Sequence, residues 1–226
     1  GISPQHDYPC QFAAIRTDLS LTPIDEPINI VAKIHPDYLP HPRACLVTGI
    51  TPQSTLQIGL TEYAFMRQIQ QQMSEANTCS IGYNSIKFDD EFTRFSLFRN
   101  FYDPYQREWQ NGNSRWDIID LVRASYALRP EGIVWPENDK GLPSFKLESL
   151  TQANGVTHEQ AHDALSDVHA TIAIAKLIQT AQPKLFSYAY QLRSKHAVLD
   201  LLEQHQGKSL LYINPFRSAK HGCVSY

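Results

Sequence analysis

Residues 161–180 form the segment that most narrows what this chain can become. They are rich in Ala and Ile, begin at a short polar stretch and stop before Pro183, which makes them the strongest helix of the sequence. The order of the other elements tells what sort of fold receives that helix. Residues 11–17 and 28–34 read as strands, joined by the turn-forming residues 18–27. Pro36, Pro40 and Pro42 make a rigid connection into residues 44–52. Thr61 then caps a helix whose Phe65, Met66, Ile69 and Met73 share one face. Residues 78–83 read as a short strand that ends in a loop at Asn84, and residues 90–101 and 116–126 read as helices. Residues 129–143, rich in Pro, Gly, Asn and Asp, form a long loop before a short helix at 147–154 closed by Gly155. A single helix is expected over 185–204 and a strand pattern over 208–213. Strands first and helices later, with mixed connections, fit an α/β domain better than a bundle.

A length of 226 residues suits one such domain with the start of another. The formal charge of -3 gives no global basic field, yet an enzyme that holds metal through carboxylates is locally acidic where it cuts. Affinity for nucleic acid can then come from a cleft with a few Arg, Lys and aromatic side chains. Cys10, Cys45, Cys79 and Cys223 are far apart, with no Cys-x-x-Cys arrangement, and read as scattered reduced thiols. No apolar run approaches the roughly 20 residues that span a bilayer, and no signal peptide is recognisable, so a cytoplasmic enzyme is the default expectation. The opening Gly1-Ile2-Ser3-Pro4-Gln5 has no initiator Met, and residues before Gly1 are expected.

Two segments carry candidate chemistry. In Asn84-Ser85-Ile86-Lys87-Phe88-Asp89-Asp90-Glu91 a strand ends at a sharp polar loop, and acidic residues open the next helix. A lone Asp there would serve as a helix cap; three consecutive acids are more than one cap needs. In His162-Asp163-Ala164-Leu165-Ser166-Asp167 the His and the second Asp lie five apart at a helix mouth. A plain helix start, with Asp163 as cap and His162 incidental, is the alternative. Together the segments are more telling. Carboxylates brought close repel, and protonation or a divalent cation relieves them. Oxygen ligands of this kind suit Mg²⁺ or Mn²⁺, and two such ions about 3.5–4 Å apart can hold a phosphodiester and activate water. A neighbouring imidazole can take the water's proton. The reading requires the loop after the third strand and the mouth of the Ala-rich helix to converge.

Asn84, Phe88 and Asp89 resemble the second motif of the DEDD-type exonucleases, and His162 with Asp167 resembles the third motif in its His-containing, DEDDh form. Residues 45–53, 100–105, 114–120, 126–138 and 141–150 extend the likeness over essentially the whole chain, to the bacterial exodeoxyribonuclease I family. The resemblance implies an α/β fold with a ribonuclease H-like mixed sheet and flanking helices. It implies an exonuclease domain over residues 1–182, then a linker helix and the start of an SH3-like domain over 183–226. It also implies a monomer that degrades single-stranded DNA from the 3′ end to 5′-mononucleotides in repair and recombination, using two Mg²⁺ or Mn²⁺ ions, with single-stranded DNA-binding protein as a partner. By the same resemblance Asp89 and Asp167 are metal ligands and His162 is the general base. Asn84, Arg94, Tyr105, Trp109 and Arg123 correspond to positions that meet the strand, and Lys146 stands where the family has a substrate-contacting Arg. Arg suits phosphates and aromatic rings suit bases; without the family, Arg94 reads as a solvated helix face and Trp109 as buried core.

One departure stands out. The family's first motif, Asp-x-Glu on a central first strand, has no counterpart here, since Asp25-Glu26 lies in a turn and Asp90-Glu91 belongs to the second motif. These 226 residues alone are therefore expected neither to fold stably nor to cut DNA. A polymerase proofreading subunit or an oligoribonuclease would share the chemistry, but the loop around Trp135-Pro136-Glu137-Asn138 and the chain past 183 argue against both. A catalytically incomplete nucleic-acid-binding remnant is the non-enzymatic alternative.

Overall fold

The computed structural model describes residues 3–156, 163–213 and 223–225. The chain divides into two compact units. The first comprises Gly1–Ser80, Asn84–Arg115 and Glu159–His169; the second comprises Ile81–Tyr83, Trp116–His158 and Ala170–Tyr226.

The first unit begins with an antiparallel hairpin of β1 (Gln11–Ala14) and β2 (Ile28–Val31), in the register Gln11↔Val31 to Ala14↔Ile28. Its connection is tied by Asp18, whose carboxylate accepts from the amides of Ser20 and Thr22, both at 2.9 Å. The Pro-rich connection that follows contains two helices that the sequence reading did not assign, α1 (Pro42–Thr48) and α2 (Pro52–Ile58). Each carries its proline at the first helical position, where the missing N–H costs nothing. Thr51 and Ser54 close a reciprocal capping box on the second. Gly59 ends it where the chain runs against β2: an added Cβ would lie 2.5 Å from the Thr55 carbonyl oxygen and 2.7 Å from the Lys33 nitrogen. Leu60 then forms a parallel bridge with Ala32.

Thr61 caps α3 (Glu62–Met73) through its hydroxyl, as expected. Phe65, Met66 and Ile69 are buried with Ala32 and Leu97, and Phe12, Ile30, Leu60, Met73 and Tyr102 pack around them. Leu97 comes from α4 (Asp89–Arg99), so the core of this unit joins hairpin, α3 and α4. Leu97 is what α4 contributes to this cluster, and burying a side chain of that size stabilises by about 1.5–3 kcal/mol.

Strand β3 (Cys79–Gly82) pairs with β4 (Ser114–Asp117). The helix expected from residue 116 starts later, as α5 (Ile118–Leu128). Asp117 is the reason: its backbone is extended and its carboxylate accepts from the Ile119 amide at 3.1 Å, so it is the cap and Trp116 stays in the strand. In the second unit Trp116 packs edge-on against Phe186 and Tyr190. The helix α6 (Leu147–Ala153) is followed by Gly155 at φ +66°. The long helix α7 (Ala164–Ala181) begins after residues outside the described set. The single helix expected over 185–204 is two, α8 (Pro183–Gln191) and α9 (Lys195–Gln204). The break falls where Ser194 is extended and Arg193 folds over the Tyr190 ring at 3.7 Å. Short strands β5 (Tyr212–Ile213) and β6 (Val224–Ser225) pair antiparallel.

The loop over 129–143 has no helix or strand but is well tied. Val134 and Asn154 exchange two hydrogen bonds of 2.8 Å, and Gln182 donates to the Glu131 carbonyl at 2.9 Å. Tyr126, Trp135 and Phe145 meet edge to face. The architecture is mixed α/β, ribonuclease H-like, with strands in three hydrogen-bonded pairs among the described residues. Among those residues no helix is long and apolar enough to cross a membrane.

Candidate active site

The acidic run at 89–91 is split into three fates by local geometry. Asn84 takes φ 58°, the left-handed conformation that Asn tolerates, and turns the chain out of β3. The Ser85 carbonyl then accepts from the amides of Phe88 at 3.1 Å and Asp90 at 2.9 Å. Phe88 precedes α4 with a non-helical backbone and no side-chain cap, its ring against Phe92 at 4.9 Å. Asp89 is the first residue of the helix and is exposed. Asp90 points inward and is buried, and Glu91 pairs with Arg94 one turn on.

Asp90 anchors a compact network of ions within the first unit. Arg107 Nη2 donates to its Oδ1 at 2.8 Å and Arg115 Nη1 to its Oδ2 at 2.9 Å. Glu108 carries the network further: Arg94 meets both its carboxylate oxygens at 2.8 Å, and Arg115 Nε lies 3.2 Å from Oε2. The Arg107 side chain is 0% exposed. Taking an unpaired cation out of water costs several kcal/mol, so the paired carboxylates are what keep it inside. The hydrogen bond to Glu108 raises the pKa of Arg94 further above its already high value.

The second candidate segment meets the same unit from α7. Asp163 is the cap of that helix, its Oδ2 accepting from the Ser166 amide at 3.1 Å and its carbonyl from the Asp167 amide at 3.0 Å. Its Oδ1 accepts from Gln11 Nε2 at 3.2 Å, which ties the helix mouth to the first residue of β1. Asp167 lies in the first turn, half-buried. His162 lies outside the described residues.

Of the positions expected to meet substrate, Arg94 and Tyr105 are in contact, the guanidinium carbon 4.9 Å from the ring centroid. Tyr105 is 54% and Trp109 67% exposed, so Trp109 is not the core residue that an isolated reading of the sequence favours. These residues, with Asn84, Asp89 and Asp167, belong to the first unit. Lys146 and Arg123 belong to the second. Lys146 is exposed just before α6, and Arg123 pairs with Asp120 at 2.8 Å. Nearby, burial pushes the pKa of the Tyr83 phenol well up, opposed by the charge of Arg123, and its hydroxyl donates to the Phe145 carbonyl at 2.6 Å.

Asp89 and Asp167 offer hard oxygen donors, the kind divalent Mg²⁺ or Mn²⁺ takes. Among the described residues no group of three or more His, Cys, Asp and Glu side chains gathers as a metal cage. The residues that sequence reasoning missed are Arg107 and Glu108. They sit in a single 3-10 turn (Gln106–Glu108), 17 and 14 residues from their partners Asp90 and Arg94, and only the Glu91–Arg94 spacing left a trace of the network in the sequence.

The profile of the exonuclease family RNase T matches residues 1–175. Exodeoxyribonuclease I of Escherichia coli (strain K12) is 52% identical over 226 residues, covering 100% of this chain and 48% of that protein. The Haemophilus influenzae exodeoxyribonuclease I is 52% identical over 214 residues, covering 95% of this chain and 45% of that protein. Among solved structures, E. coli exonuclease I in complex with a dA16 oligonucleotide superposes with a TM-score of 0.95 at 52% identity, over 100% of this chain and 48% of that one. Exonuclease I from Methylocaldum szegediense gives 0.94 at 51%, over 100% and 48%. The chain thus spans about half the length of the curated relatives it matches.

Proposed function

Since the chain belongs to the RNase T exonuclease family and is homologous to bacterial exodeoxyribonuclease I, we propose that it is the nuclease part of a 3′→5′ exonuclease that degrades single-stranded DNA to 5′-mononucleotides. The observation that carries this reading is the superposition of the whole chain on an oligonucleotide-bound exonuclease I. Residues 1–182 make the exonuclease domain in this reading, and residues 183–226 lead toward a further, SH3-like domain. Family membership implies divalent metal use. Two Mg²⁺ or Mn²⁺ ions, when bound, supply polarisation of the phosphodiester and a water of lowered pKa. Asp89 and Asp167 would hold them, as carboxylate oxygens suited to such ions.

The chain's own residues do the rest. His162 takes the proton of the attacking water, since imidazole titrates near working pH. Tyr105 and Trp109 present exposed ring faces to bases, a contact worth roughly 1–3 kcal/mol per base and indifferent to sequence. Lys146 and Arg123 attract phosphates, and Asn84 lines the strand's path. Arg94 contributes by keeping the Tyr105 ring in place beneath its guanidinium. Single-stranded DNA is the substrate and single-stranded DNA-binding protein a partner; a solved structure of an exonuclease I holds that protein together with an inhibitor. The work is that of DNA repair and recombination.

The test uses the natural polypeptide that carries these residues and a 3′-labelled oligonucleotide. Mg²⁺-dependent release of mononucleotides is expected, lost by at least about a hundredfold in Asp167→Asn, because a lost ion ligand removes several kcal/mol of transition-state stabilisation. Equal release from Asp167→Asn, or release of dinucleotides only from short RNA, would overturn the reading.

A further inference from the structure

Helix α4 has an unusual start. Phe88 makes no side-chain capping bond, and Asp89 is exposed. The Ser85 carbonyl, which accepts from the Phe88 and Asp90 amides, holds the backbone of this turn, and the Asp90 side chain is held too: both its oxygens are gripped, one by Arg107 and one by Arg115. Arg107 is the deeper of the two, fully buried, while Arg115 is 28% exposed. Of the Arg107 nitrogens only Nη2 has a hydrogen-bond partner among the described residues. Arg107 also stands 3.6 Å from Glu108, which in turn holds Arg94 and Arg115. A buried cation with donors to spare is an expensive way to pack a core, and an apolar side chain would fill the same space with less desolvation. Its return is precision. Consecutive Cα atoms are 3.80 Å apart across a rigid peptide, so a fixed Asp90 carboxylate fixes the origin from which the Asp89 side chain extends.

We propose that Arg107 is a positioning residue for the ion-holding carboxylate of Asp89, acting through its buried bond to Asp90. This rests on the reading of Asp89 as a metal ligand. Partners behind metal-holding side chains commonly set affinity, and their loss weakens metal binding by 10–100-fold.

The experiment measures Mn²⁺ binding to the natural polypeptide by the paramagnetic resonance of free Mn²⁺, with the thermal midpoint and the KM for a long oligonucleotide alongside. Arg107→Met is expected to weaken Mn²⁺ binding about tenfold, raise the Mg²⁺ needed for half-maximal rate in step, and leave KM for DNA unchanged. Arg107→Lys, which restores a cation beside Asp90, is expected to recover most of that binding. A merely structural role would lower the thermal midpoint while leaving the Mn²⁺ affinity of the folded protein alone, and that result overturns the proposal. If Arg107→Met does not fold, Arg115→Met, at the more exposed grip, is read the same way with a smaller weakening of about threefold, scaled from the same range. Asp89→Asn separates the two layers. Unchanged Mn²⁺ binding in Asp89→Asn defeats the ligand reading and the proposal with it; weakened binding in Asp89→Asn beside normal binding in Arg107→Met defeats the positioning alone.

Discussion

Replacing Asp163 with Ala should loosen the first turn of α7 while sparing the rest of that helix. Two bonds are lost: the cap to the Ser166 amide at 3.1 Å and the tether from Gln11 at 3.2 Å. A lost Asp cap costs about 0.5–2 kcal/mol. The side-chain bond to Gln11, between neutral amide and carboxylate in a half-buried setting, adds about 0.5–1 kcal/mol. A sum of about 1–3 kcal/mol corresponds to about a 5- to 150-fold greater local opening. Hydrogen exchange read by mass spectrometry on peptides covering residues 163–170 would report it directly, with peptides from α3 as internal reference. Asp163→Asn keeps an equally good capping oxygen and should lose at most a few tenths of a kcal/mol at the cap. The reasoning is refuted if Asp163→Ala exchanges like the parent protein, or if Asn is as damaging as Ala.

Two further outcomes follow from other parts of the first unit. Tyr38 donates to Asp7 at 2.8 Å, and burial, with that bond, pushes its phenol up to about 12. A pKa raised on folding means stability that is whole below the unfolded value of about 10 and is lost as pH climbs through the folded one; alkaline unfolding followed by phenolate absorbance should be shallower between those limits in Tyr38→Phe. Trp109→Ala should raise KM for single-stranded DNA about five- to a hundredfold with little change in kcat, the signature of lost base stacking, and an unchanged KM would remove Trp109 from the binding surface.

How much of this could be read from the sequence depended on range. Interactions within one turn were legible: the Thr61 cap, the Phe65–Met66–Ile69 face and the alternative role of Asp163 as a cap all stand in the structure. The hairpin was placed to within a few residues. Proline misled in one place, because Pro42 and Pro52 begin helices that a stiff connection seemed to exclude, and only the capping residues before them, His41 and Thr51, could have said so. Trp116 looked helical from its apolar spacing, yet the cap at Asp117 assigns it to a strand. The ion network was out of reach, since no periodicity links Asp90 to Arg107 or Arg94 to Glu108 across an irregular segment. The roles given to Asp89, Asp167 and His162 rest on the resemblance to the family's motifs, and composition alone would not have separated Asp89 from its two acidic neighbours.

The tied loop over 129–143 carries a consequence for how such a protein can vary. A surface excursion of that length is ordinarily where evolution inserts and deletes freely. Here the Val134 amide and carbonyl are taken by Asn154 and the Glu131 carbonyl by Gln182, residues that arrive 20 and 51 positions later in the chain. A one-residue insertion between Glu131 and Val134 would break the match to these two residues, Asn154 just after α6 and Gln182 just before α8, so this stretch should drift in spelling but hold its length.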